Sequence, residues 1–256
     1  MIVIERSLAD IFRRLYIAHS SQTDKNYKAR QAAFIKWADK KHLKGNSRTL
    51  LDIGCGNGVL LSMLKQTYRS KGIDVSNKEV VSAKQRVKGV KFIVADMLNF
   101  DLKEKFSIIT CFDAIDHGDD LRKGIKKTLS NFYRHLEANG MLIFSLSMAK
   151  DCWINGGANT TILSVKGEKW ISIIHRCIRN NKLNFDRVTL LLKNSKTFQE
   201  FKTSVLEYRY GLLETEKVRN ITNNLGFNTF VYVDWSRKTW NKDSSEAPIF
   251  VCVKKR

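Results

Sequence analysis

The chain has 256 residues, 43% hydrophobic and 27% charged, with 45 Lys and Arg against 25 Asp and Glu for a formal net charge of +20. These proportions are ordinary for a soluble globular protein: one domain, or a core with a small embellishment, with enough chain to bury a substantial interior. No apolar run approaches the ~20 residues of a membrane span, and the five dispersed cysteines, with no Cys-x-x-Cys pair, argue against a disulfide framework or structural zinc. Met1 to Ile4 is apolar, but Glu5, Arg6, Asp10, Arg13 and Arg14 break any signal-peptide core, so the cytoplasm is the expected compartment.

In chain order, residues 1–46 read as helical. Leu8, Ile11, Phe12, Leu15 and Tyr16, then Ala29, Ala33, Phe34 and Trp37, recur at helical spacing. Next comes Leu50-Leu51-Asp52-Ile53-Gly54-Cys55-Gly56-Asn57-Gly58-Val59-Leu60, an apolar strand, a glycine loop and an apolar helix. Glycines at alternating positions let the chain turn sharply and a ligand lie against the backbone, and the helix start adds free N–H groups. The spacing Asp-x-Gly-x-Gly-x-Gly is not the Gly-x-Gly-x-x-Gly of dinucleotide sites. Cys55 fits the loop as a small residue.

Lys71 to Val75 is a second strand ending in Asp74, an acid suited to both hydroxyls of a ribose. Ser76-Asn77-Lys78-Glu79 is a capping box that starts a helix at once. Phe92 to Met97 is a third strand, with Asp96 placed for an adenine amine, and Phe106 to Asp113 a fourth. Leu121 to Leu136 has helical period, closed by Asn139-Gly140, and Met141 to Ser145 is a fifth strand. Beyond Lys150 the pattern changes. Asp151 to Thr161 reads as a polar loop and Trp170 to Arg179 as a helix. Phe185 to Leu192 and Phe198 to Tyr208 read as a β-hairpin across Lys193 to Lys196. Glu214 to Leu225 is a helix stopped by Gly226, and Phe227 to Asp234 and Ile249 to Val253 are the last strands.

From Arg48 to Ser147 this order of motifs resembles the class I S-adenosylmethionine-dependent methyltransferases. The segments Tyr208-Arg209-Tyr210, Leu225-Gly226-Phe227 and Phe250 to Val253 extend the resemblance to small-molecule members, of the amino-sugar and small-amine N-methyltransferase kind. The resemblance implies an α/β Rossmann-like, doubly wound seven-stranded sheet of order 3-2-1-4-5-7-6 with strand 7 antiparallel. It implies an N-terminal helical lid (1–46), a cofactor-binding core (47–150), a substrate-covering insert with a β-hairpin after strand 5 (151–210) and a C-terminal part of the core sheet (211–256). The implied cofactor is S-adenosyl-L-methionine, with S-adenosyl-L-homocysteine as product. Asp52, Gly54, Cys55, Gly56 and Gly58 would meet its methionine portion, Asp74 and Val75 its ribose side, Asp96 and Met97 its adenine, and Phe112 would lie near the methyl group.

Methyl transfer from a sulfonium is an in-line displacement in which the protein supplies position and a desolvated site. A neutral amine attacks unaided, whereas a hydroxyl needs a base or a metal. The loop after strand 4, Asp113-Ala114-Ile115-Asp116-His117, lacks the Asn-Pro-Pro-Tyr type of motif used on exocyclic base amines. Asp113, Asp116 and His117 are the catalytic candidates: first as loop-structuring or substrate-contacting groups, then with His117 as general base, and last as a Mg²⁺ or Mn²⁺ site resembling Glu-x-x-Glu-His with both acids shortened. Tyr16, Trp153, Tyr208, Arg209 and Tyr210 are the substrate-binding candidates, with Trp235, Arg237 and Trp240 as further members of an aromatic and cationic wall.

The expected function is methyl transfer to a small-molecule acceptor, at an amine nitrogen in preference to a hydroxyl. The alternatives are an RNA methyltransferase and a non-catalytic S-adenosylmethionine-binding protein. The basic charge is spread along the chain, with clusters at Lys36/Lys40/Lys41/Lys44, Arg122/Lys123/Lys126/Lys127 and Lys254/Lys255/Arg256. A nucleic-acid footprint gathers on one face, so dispersed solvated charge is the preferred reading. No membrane partner is expected, and the oligomeric state is left open, a homodimer included.

Overall fold

The computed structural model of the chain describes residues 25–115, 121–146, 158–165, 168–179, 182–192, 200–203, 210–211, 213–242, 244 and 247–255. Helix α1 (25–42) leads into β1 (Thr49–Ile53), α2 (Val59–Leu64), β2 (Arg69–Asp74), α3 (Asn77–Arg86), β3 (Lys91–Val94), β4 (Phe106–Cys111), α4 (Leu121–Arg134) and β5 (Leu136–Ser145). There follow β6 (Ala158–Val165), β7 (Glu168–Arg179), β8 (Lys182–Leu192), β9 (Glu200–Thr203) and β10 (Tyr210–Gly211). Helix α5 (Thr215–Asn224), β11 (Phe227–Val233), β12 (Lys238–Thr239) and β13 (Pro248–Lys254) complete the chain. Two compact units result, one of residues 28–154 with 210–256, the other of 1–27 with 155–209. Among the described residues no helix is long and apolar enough to cross a membrane.

The main sheet has eight strands in the order β12-β11-β13-β5-β4-β1-β2-β3. Strands β1 to β5 run parallel to one another, and β13 runs antiparallel between β5 and β11. The expected order 3-2-1-4-5-7-6 is therefore present, with one addition: the two-residue β12 pairs Tyr232 and Val233 at the outer edge. Strands covered on both faces read as continuous apolar runs, and every residue of Thr49-Leu50-Leu51-Asp52-Ile53 is buried. Phe144 and Phe250, opposite each other on β5 and β13, stack at 4.7 Å and 3°. Both are fully buried, and each such side chain contributes roughly 1.5–3 kcal/mol.

Three sequence expectations change. Helix α4 stops at Arg134, and Leu136 to Gly140 already belong to β5, with a register shift between Phe106 and Ile108 that absorbs Asn139 at φ 60°. Trp170 to Arg179 is not a helix but most of β7, paired residue by residue with β6 and β8. Its apolar residues fit a helical stripe, yet isoleucines at 171, 173, 174 and 178 are β-branched, and β8 pairs with it from Lys169↔Leu192 to Arg179↔Lys182. The segment read as a loop from Asp151 contributes Ala158 to Thr161 to β6. The hairpin does form, β8 pairing with β9 from Val188↔Thr203 to Leu191↔Glu200.

The parallel register sets the site. Asp52 lies beside Gly72 on one side and Thr110 on the other, and Asp74 lies beside Val94. The carboxyl ends of β1, β2, β3 and β4 therefore share one edge, the place where open α/β sheets bind ligands.

Candidate active site

The glycine loop leaves β1 under two ties to β2: Gly54 and Cys55 N–H both donate to the Ile73 carbonyl, at 2.9 and 3.0 Å. Gly54 has φ +70°, and a Cβ there would sit 2.4 Å from Ala114 Cβ on the β4 loop. At Gly58 a Cβ would press on Phe92 and Ala83 at 3.0 and 3.2 Å. Over Gly56 it would meet nothing nearer than Glu79 Oε2 at 3.9 Å. Gly54 and Gly58 thus serve close packing, and Gly56 faces open space that a ligand could occupy. Cys55 is buried, its Sγ 2.8 Å from where a Gly72 Cβ would lie. Burial, with Asp52 and Asp74 nearby, pushes its thiol far up, so it fills space as a neutral group.

Four carboxylates stand along this edge in different environments. Asp52 is 3% exposed and accepts Thr110 Oγ1–H at 2.7 Å. Burial pushes its pKa up to about 6, against the lowering effects of the Thr110 bond and the Lys28 ammonium. Asp74 takes Gly56 N–H on Oδ2 at 2.8 Å and Ser76 N–H on Oδ1 at 2.9 Å. It joins the loop to the start of α3, where Ser76 Oγ caps Glu79 N–H at 3.3 Å. Its remaining lone pairs stay available to a second donor. The next residue, Val75, is 74% exposed, an apolar surface at the mouth of the crevice. Asp96 is exposed, and its Oδ1 accepts Leu98 N–H at 2.8 Å to shape the turn that carries Met97.

The Asp52 shift has a sign that can be checked. Its folded pKa lies above the ordinary 3.8, so the stabilisation it gives is complete below that value and is lost as pH rises through about 6. The cost at neutral pH is about 3 kcal/mol. Asp52→Asn, followed by urea unfolding across pH 4–7, should flatten this fall and raise stability at pH 7. An unchanged pH profile would remove the buried-carboxylate assignment.

Asp113, two residues past β4, has φ 54°, an uncommon conformation for a side-chain-bearing residue that is often found where a site holds it. Its N–H donates to Ser145 Oγ at 2.9 Å, and Gln31 Nε2 donates to its Oδ2 at 3.3 Å. Lys28 Nζ stands 3.9 Å from the same oxygen. Gln31 is fully buried, and its Oε1 has no hydrogen-bond partner. Rotating the amide would set that oxygen against the Asp113 carboxylate, so the acceptor is left over beside the reaction end of β4.

Helix α1 is held over this edge by aromatic packing. Phe34 meets Trp235 at 5.6 Å and Tyr232 at 5.8 Å, and Phe112 meets Trp235 edge-on at 5.0 Å. Phe112, expected near the methyl group, is 4% exposed and spends its visible contacts on Trp235. Trp235 and Trp240 are 6% and 8% exposed and belong to the interior, not to a substrate wall. Arg237 lies over the Trp37 ring at 5.6 Å. Arg30 pairs with Asp234.

Asp116 and His117, and with them the metal reading, lie outside the described residues, as do Tyr16, Trp153, Tyr208 and Arg209. Tyr210 is placed as backbone in β10. The structure adds Lys28, Gln31, Thr110, Ala114 and Ser145 to the site. Thr110 could have been found from the β1–β4 register, since it faces Asp52. The others act across long sequence separations and leave no local signal.

Comparison with known proteins agrees with this geometry. Residues 50–140 match the family described as a methyltransferase domain. The chain is 28% identical over 181 residues, 69% of this chain and 63% of the relative, to dTDP-4-amino-2,3,4,6-tetradeoxy-D-glucose N,N-dimethyltransferase of Saccharopolyspora spinosa. It is 27% identical over 145 residues, 54% of this chain and 57% of the relative, to ubiquinone biosynthesis O-methyltransferase of Pseudomonas entomophila. The chain thus spans less than two thirds of the length of these relatives. Among solved structures, Streptomyces venezuelae DesVI superposes with a TM-score of 0.71 at 18% identity, over 96% of this chain and 98% of that one. SAM-bound CalS10, an amino pentose methyltransferase from Micromonospora echinaspora, gives 0.74 at 16%, over 93% and 97%. At these identities the two structures establish the fold.

Proposed function

We propose that this chain, which carries a methyltransferase domain at residues 50–140 on the class I methyltransferase fold, transfers a methyl group from S-adenosylmethionine to an amine of a small molecule, an amino sugar being the leading class. The observation that carries the reading is the convergence of Asp52, Asp74 and Asp113 with the glycine loop on one sheet edge, their carboxylates taking hydrogen bonds from Thr110, Gly56 and Gln31 respectively. The N,N-dimethyltransferase relative supports nitrogen as the acceptor atom.

The residues present fit the cofactor. Gly56 leaves room above the loop, Val75 offers an apolar face beside Asp74, and Asp96 stands exposed at the end of β3. Asp52 and the leftover Gln31 Oε1 are acceptors suited to an ammonium group. Asp74 would hold the ribose hydroxyls while keeping the loop closed, and Asp96 with Met97 would border the adenine. Bound there, S-adenosylmethionine supplies an electrophilic methyl group on a sulfonium. The protein's own part is to orient the acceptor and exclude water. Asp113, fixed by Gln31, Lys28 and Ser145, would accept an N–H of the substrate amine at its carboxylate. It would thereby aim the nitrogen lone pair and receive the proton released after attack.

Purified protein incubated with methyl-labelled S-adenosylmethionine and a nucleotide-linked amino sugar, a hydroxy-metabolite pool or total RNA should label the amino-sugar fraction. Label confined to RNA or to hydroxy metabolites would sink the amine reading. Asp113→Asn should lower kcat by about 10²-fold while cofactor affinity is retained. A parallel loss of cofactor affinity would assign Asp113 to the cofactor instead.

A further inference from the structure

At the opposite, amino end of the main sheet lies a cavity of about 540 Å³ lined by Arg48, Lys65, Thr67, Tyr68, Arg69 and Gly89. Arg69 N–H donates to the Arg48 carbonyl at 2.8 Å, so the two guanidinium side chains start from adjoining positions at the entrances of β1 and β2. Lys65 spends one proton on the Lys88 carbonyl at 3.3 Å. Among the described residues, no carboxylate forms an ion pair with Arg48, Lys65 or Arg69. The acids nearby are spent elsewhere. Asp39 is 5% exposed and turned inward, taking Ser47 Oγ–H at 2.7 Å and Tyr68 O–H at 3.0 Å. Glu137 accepts the hydroxyls of Thr49 and Ser107.

The Asp39 bonds also fix the end of α1 beside the cavity, since Tyr68 lines it and Ser47 precedes Arg48. Charge that is scattered in sequence is gathered here on one face, remote from the glycine loop and unused by the proposed methyl transfer.

We propose that this amino-end cavity is a phosphoryl-anion site. Arginine forks match phosphate oxygens bidentately, lysine adds a point charge, and the volume suits a nucleotide-sized group. The phosphates could belong to an RNA backbone or to a free oligophosphate, and the two sources separate by experiment. The full-length protein would be titrated with a stem–loop RNA and with inorganic tripolyphosphate over a range of salt. The comparison is between the wild type, R48A/K65A/R69A and a charge-matched control, K126A/K127A/K217A. Expected for the cavity variant is binding about tenfold or more weaker and a log–log salt slope for RNA flatter by about three, with the control close to wild type. Tripolyphosphate binding without RNA binding would assign a free ligand; RNA binding that tripolyphosphate displaces would assign the backbone. Equal losses in both variants, or no binding of either probe by the wild type, would overturn the site. S-adenosylmethionine affinity, measured on each variant, reports separately on the fold and on the proposed function.

Discussion

Gly54→Ala is expected to cost about 3 kcal/mol of stability and to abolish cofactor binding. Two effects add. A side-chain-bearing residue in the left-handed region costs roughly 1–2 kcal/mol, and forcing atoms into a packed site costs roughly 1–3 more. The second effect is specific, because the new Cβ would stand 2.4 Å from Ala114 Cβ. Ala114 follows Asp113, so relief by moving the β4 loop would displace the carboxylate that Gln31 holds and the backbone N–H that donates to Ser145. A double variant separates the effects. Adding Ala114→Gly to Gly54→Ala removes the collision but not the backbone strain, and should recover about half of the lost stability. Denaturant midpoints for the four proteins of the cycle provide the check. Absence of coupling between the two positions would show that the loop does not pack as described.

The second large effect belongs to Asp74. Its replacement by alanine leaves Gly56 N–H and Ser76 N–H without their carboxylate and removes the acceptor proposed for the ribose. Hydrogen bonds to charged groups contribute about 1.5–3 kcal/mol each, so cofactor affinity should fall by about 10²–10⁴-fold. Asp74→Asn keeps one oxygen and sets an amide N–H against the other donor, and should lie between alanine and the wild type. Asp96→Ala removes a single turn bond, to Leu98, and should weaken binding less. Calorimetric titration with S-adenosylmethionine orders the three. Unchanged affinity in Asp74→Ala would refute the site assignment.

The parts of the fold legible in the sequence were those with local signals. The glycine loop, the Ser76–Glu79 cap and the apolar strands β1, β4 and β13 each announce themselves within a few residues. Boundaries were less legible. The residues Leu136 to Gly140 look like a helix end because Asn-Gly commonly stops helices, yet pairing of Leu136 with Phe106 draws them into the sheet. Within the site, the acids could be named but not their partners. Nothing near Asp113 indicates that Gln31, 82 residues earlier, will donate to it. Trp235 and Trp240 show the reverse error: aromatic residues in a polar stretch suggested a substrate wall, but packing against Phe34, Phe112 and the core decides their place. Charge is a different case, because a count along the sequence carries no information about which faces the cations share.

The docking of α1 has a consequence for how the chain is made. Phe34 and Trp37 find Tyr232 and Trp235 on a segment synthesised about 200 residues later, and Arg30 finds Asp234 across 204 positions. At about 5–20 residues per second, a ribosome would leave this helix waiting roughly 10–40 s for its partners. During that interval its aromatic stripe faces solvent or a chaperone, and the carboxylate of Asp113 lacks its ceiling of Lys28 and Gln31. The nascent glycine loop and its first strands can assemble early, but a competent centre appears only with the closing strands, so premature termination should yield sticky, inactive polypeptide.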